Sequence, residues 1–102
     1  MSENGAIERS SLPDDGDMKQ IPVGGLKVAV ANVGGTFYAF GDTCTHRQCP
    51  LSKGELEGTT VTCPCHGSQF DVTTGAVLRG PAEEPVGSYP VTMEGESLQV
   101  EV

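Results

Sequence analysis

Cysteine and histidine occur in this sequence only as two sets of three. "CTHRQC" supplies Cys44, His46 and Cys49, and "CPCHGSQF" supplies Cys63, Cys65 and His66. Thiolates and neutral imidazoles are soft to borderline ligands, suited to zinc or to an iron–sulfur cluster. Zinc sites usually separate the ligands of one loop by two to four residues. Cys44-x-His46 leaves only one residue between them, which is tight for a zinc knuckle. Cys63-x-Cys65 is an equally awkward pair for a single ion. A zinc-stabilised binding module therefore stands as one reading and an iron–sulfur centre as another.

Both sets fall between segments with strand character. "LKVAVANV" (26–33) alternates, with Val28 and Val30 on one face, and "TFYAF" (36–40) follows after Gly34-Gly35, a hairpin turn signal. "TTVTC" (59–63) and "SQFDV" (68–72) bracket the second set. "YPVTM" and "SLQVEV" flank Glu94-Gly95-Glu96, and Leu98, Val100 and Val102 alternate with polar residues. No stretch has helical periodicity. The expected fold is all-β: an antiparallel β sandwich or small barrel, with the two loops carried on a strand frame.

The chain has 102 residues, 36% hydrophobic and without Trp, which allows one domain with a modest core. Residues 1–9 read as a flexible polar tail and 10–102 as a single domain. Net charge is −8 with 6 basic residues, so there is no basic stripe for nucleic acid. An acidic surface keeps a small protein soluble and can steer it toward a basic partner. The first residues carry no apolar run of a signal peptide, and no later run approaches a membrane span, so a cytoplasmic protein is expected. In that compartment four cysteines point to metal or redox roles ahead of structural disulfides.

Cys44-x-His46 followed by Cys63-x-x-His66-Gly67 resembles the Rieske iron–sulfur motif. The resemblance continues through "GDTCTH", "PLSKGELEG", "VTCPCHGSQFDVTTG" and "GPA", and covers about residues 18–102. It implies one [2Fe–2S] cluster in a subdomain of two loops, about 42–82, with Cys44 and Cys63 on one iron and His46 and His66 on the other. Two thiolates and two neutral imidazoles leave an oxidised core near zero charge, which accepts an electron more readily than a four-thiolate dianion. Cys49 and Cys65 resemble the pair that is joined in a disulfide in the Rieske proteins of cytochrome bc complexes. Gln48 and Phe70 depart from that branch, which usually has Gly and Tyr there. The resemblance further implies that Ser68 donates to a cluster sulfide and that Pro81 belongs to a covering loop; Pro64 with Gly67 lets the second loop bend back, and Leu51, directly after the first loop in "PLS", is expected beside the cluster. Arg47 and Lys53 are candidate docking residues at the tip.

The function implied is a soluble one-electron carrier, monomeric when free, passing electrons from a ferredoxin reductase to a terminal oxygenase or similar redox enzyme. It would not itself be an enzyme. An electron-entry subunit of a reductase, such as nitrite reductase, is the alternative within the same chemistry.

Overall fold

The structure, a computed structural model, describes residues 4–45, 49–65, 67–80 and 82–101. Among them the chain forms eleven strands in three antiparallel sheets. Strands β2 (Met18–Val23), β3 (Leu26–Val33), β4 (Thr36–Gly41) and β9 (Ser88–Tyr89) make the central sheet, in that order. Strands β1 (Asn4–Glu8), β11 (Ser97–Glu101) and β10 (Val91–Glu94) cover one of its faces. On the other lies a third sheet of β5 (Glu55–Glu57), β6 (Thr60–Thr62), β7 (Gln69–Asp71) and β8 (Val77–Arg79). No helix among the described residues is long and apolar enough to cross a membrane.

The central strand β3 explains how the layers hold together. The expectation was one buried valine face, but Val28, Ala29, Val30 and Ala31 are all fully buried. Val28 and Val30 join Ile7, Ala39, Leu98 and Val100 in one core. Ala29 and Ala31 point the other way and join Phe40, Leu51, Val61, Phe70 and the two cysteines Cys44 and Cys63. Side chains alternate across a strand, so β3 feeds both cores at once. The alanines leave room on the second face, where the two rings of Phe40 and Phe70 pack.

The expected tail at residues 1–9 needs correction. Residues 4–8 form β1 and pair with β11 in register, Ile7 opposite Leu98. Ile7 is 6% exposed and packs in the core with Leu98 and Val100. A short strand with one large apolar residue carries almost no alternation for sequence reading to detect. The β3–β4 hairpin turns at Gly34 and Gly35, whose φ angles of 61° and 92° lie in the left-handed region that favours glycine.

Candidate metal centre

Two loops leave the strand frame side by side, and both close in the same way. The backbone N–H of Cys44 donates to the carbonyl of Cys49 at 2.9 Å. The N–H of Cys63 donates to the carbonyl of Ser68 at 2.8 Å, an identical spacing along the chain. A cysteine thus opens each ring, with its side chain inside. Cys44 is 1% exposed and Cys63 3%, and both belong to the core under the loops. Gly67, at φ 78°, lets the second loop return, and its N–H donates to the carbonyl of Cys63 at 3.2 Å.

The first loop is held from below by Asp42. This carboxylate is 1% exposed. Its Oδ1 accepts from the N–H of Ser52 at 2.7 Å, and its Oδ2 accepts from the Gln20 side-chain amide. The Asp42 carbonyl accepts from the N–H of Leu51 at 2.7 Å, and Asp42 N–H donates to Lys27. Asp42 therefore fastens both ends of the loop to β2 and β3. Burying a carboxylate is costly unless its oxygens are satisfied, and here both are. Sequence reading gives Asp42 no role beyond its place in the "GDTCTH" segment, and gives Gln20 none. The one available signal was an acidic residue directly before a ligand loop.

A third segment, 82–87, is laced over both loops. Ala82 N–H donates to Ser68 Oγ at 3.0 Å. Thr45 Oγ1 donates to the carbonyl of Glu84 at 2.7 Å, which fixes the segment to the first loop. Val86 N–H donates to the carbonyl of Gly75, and Gly41 N–H to that of Gly87, each at 2.9 Å. Gly75 has no room for a side chain: a Cβ there would stand 2.1 Å from the Val86 carbonyl oxygen.

The remaining two cysteines bridge the loops. Cys49 and Cys65 are disulfide-bonded, with Cα atoms 6.4 Å apart. Cys49 is half-buried and Cys65 exposed. The Sγ atoms of Cys49, Cys63 and Cys65 all lie within 4.8 Å of one another. With two of the four cysteines tied to each other, a four-thiolate zinc site is not open to this arrangement.

Among the other expected site residues, Leu51 and Ser68 are fully buried, and Lys53 is exposed at the end of a short 3-10 turn, Leu51–Lys53. His46, Arg47, Gln48, His66 and Pro81 lie outside the described residues. Phe70 is fully buried in the core with Cys44 and Cys63.

The family model for the Rieske [2Fe-2S] domain matches residues 4–90. The chain belongs to the Rieske [2Fe-2S] domain family. A Rieske relative, the ferredoxin component of a naphthalene 1,2-dioxygenase system from Pseudomonas aeruginosa, is 36% identical over 97 residues, which is 95% of this chain and 92% of the relative. The ferredoxin of carbazole 1,9a-dioxygenase from Nocardioides aromaticivorans IC177 superposes with a TM-score of 0.87 at 30% identity, over 93% of this chain and 92% of that one. A chain of the complex of reduced oxygenase and oxidized ferredoxin in carbazole 1,9a-dioxygenase gives 0.84 at 36% identity, over 92% and 96%. The Rieske cofactor is a [2Fe–2S] cluster. The donor chemistry fits it: two buried cysteine sulfurs outside the disulfide, one at the head of each closed loop.

Proposed function

We propose that this chain carries single electrons from a ferredoxin reductase to the terminal oxygenase of a multicomponent system. The observation that carries the reading is the near full-length match to ferredoxin components of dioxygenase systems. One relative of comparable size comes from a complex of ferredoxin with oxygenase. In this reading Cys44 and Cys63 hold the inner iron, and His46 and His66 the outer one. The bound cluster supplies the one-electron chemistry, and the protein supplies position, burial and hydrogen bonds.

The chain's own residues account for that division. Asp42 and the 82–87 segment fix the two loops, and the disulfide ties them to each other. Leu51, Phe70 and Val61 keep water from the cysteine side. In this reading the electron leaves by the histidine side, and Arg47 and Lys53 take part in docking. Residues 10–102 with β1 act as one domain, of which about 42–82 is the cluster-binding part, and the protein works as a cytoplasmic monomer.

The test is reconstitution. The purified protein should be coloured, contain iron and sulfide in equal amounts, and accept one electron per chain. It should restore turnover to an aromatic-ring dioxygenase deprived of its own ferredoxin. A colourless, zinc-containing protein without a redox transition would overturn the reading.

A further inference from the structure

Three sulfur atoms meet where the loops cross. Sγ of Cys49, Cys63 and Cys65 lie within 4.8 Å of one another, and two of them already share a bond. Cys44 is as deeply buried as Cys63 but is not a member of this trio. We propose that in the chain before a cluster is bound, Cys63 exchanges with the Cys49–Cys65 disulfide, and that the resulting isomer withholds Cys63 from the cluster.

The step is an isoelectronic exchange. The Cys63 thiolate attacks Sγ of Cys49, the Cys49–Cys65 bond breaks, and a Cys49–Cys63 bond forms. The electron pair leaves with Cys65 as its thiolate, and the proton lost by Cys63 returns to Cys65 through solvent. One disulfide and two thiols are present before and after, so no oxidant or reductant is required.

Solvation sets the direction. Cys65 is exposed and its thiolate is hydrated as it departs, whereas Cys49 is half-buried. The alternative product, Cys63–Cys65, would close a small ring across Pro64, whose own φ is fixed. The Cys49–Cys63 product still ties one loop to the other. The backbone closures at Cys44 and Cys63 do not have to break. With Cys63 consumed, the second loop has no cysteine of the ligand pair to offer until the exchange reverses. That last consequence rests on the proposed ligation by Cys63, while the exchange itself does not.

The experiment uses the full chain, loaded with cluster and after anaerobic removal of the cluster by chelation. Both samples are held at mildly alkaline pH, because the thiolate is the attacking species. Aliquots are denatured in acid at intervals, which halts exchange and exposes every thiol, then alkylated with a maleimide and mapped by mass spectrometry. In the cluster-free chain, label should move from Cys63 to Cys65 with time, while Cys44 stays labelled and the total stays at two thiols. Cys44→Ser should still exchange, and Cys63→Ser should reduce labelling of Cys65 to background. Label confined to Cys44 and Cys63 at all times in the cluster-free chain, or appearing on Cys49 in place of Cys65, overturns the proposal. Migration in the loaded protein as fast as in the cluster-free one would instead overturn ligation by Cys63 and leave the exchange standing.

Discussion

Replacing Ser68 with alanine separates two jobs carried by one oxygen atom. Ser68 is fully buried, and its Oγ accepts the Ala82 N–H at 3.0 Å. Ala82 is itself 4% exposed, so its N–H has no ready access to water once that acceptor is gone. An unsatisfied buried donor costs about 1–3 kcal/mol. For a domain of this size that lowers the melting temperature by about 4–8 °C per kcal/mol. The contact uses only the lone pair of Oγ and leaves the hydroxyl hydrogen to be donated elsewhere. If it serves the cluster, a hydrogen bond to a charged acceptor of about 1.5–3 kcal/mol bounds the potential shift at roughly 65–130 mV for one electron. The observed fall should be smaller, because both redox states accept the bond. Ser68→Thr keeps the hydroxyl and should hold the potential near the parent value. Scanning calorimetry and film voltammetry on the loaded protein measure the two effects. An unchanged melting temperature in Ser68→Ala would refute the strut to Ala82. A lower melting temperature with an unchanged potential would remove Ser68 from the tuning of the cluster.

Three further perturbations follow from the same frame. The double variant Cys49→Ala/Cys65→Ala should assemble a cluster but lose about 3 kcal/mol, the chain-entropy value for a disulfide spanning 16 residues; denaturant midpoints of loaded protein check this. Leu51→Ala opens a void in the core shared with Cys44 and Cys63, and should cost about 2–5 kcal/mol and speed the anaerobic bleaching of the visible absorbance. Gly75→Ala and Gly67→Ala form a matched pair, since φ is positive at both, +81° and +78°. Only Gly75 has a backbone oxygen in the way, so its variant should unfold at a distinctly lower temperature than the Gly67 variant, which bears little beyond about 1–2 kcal/mol of backbone strain.

How far the sequence carried the reading follows from where each signal lives. β3, β4, β10 and β11 announced themselves through alternation and glycine turns, and their hairpins lie where that pattern placed them. Double burial of β3 did not, because Ala29 and Ala31 are too small to register as a hydrophobic face. β2 contains Pro22, which argues against a central strand; it is tolerated because β2 is the edge of its sheet. β1 has Ile7 as its one large apolar residue, and the sequence reads there as tail. At the site, the cysteine and histidine types and their spacing were visible as a motif. The support was not: Asp42, Gln20 and the ties from Thr45 and Ala82 join residues far apart in the chain, and no local pattern announces them.

The proposed function rests on two cysteines and two histidines holding one [2Fe–2S] cluster. Its most direct test is pulsed EPR of the reduced protein grown with nitrogen-15 histidine, beside samples carrying His46→Ala or His66→Ala. Couplings from two histidine nitrogens are expected in the parent protein, and disruption of the native signal in either variant. A reduced cluster with no histidine coupling, unaltered by both substitutions, would contradict it.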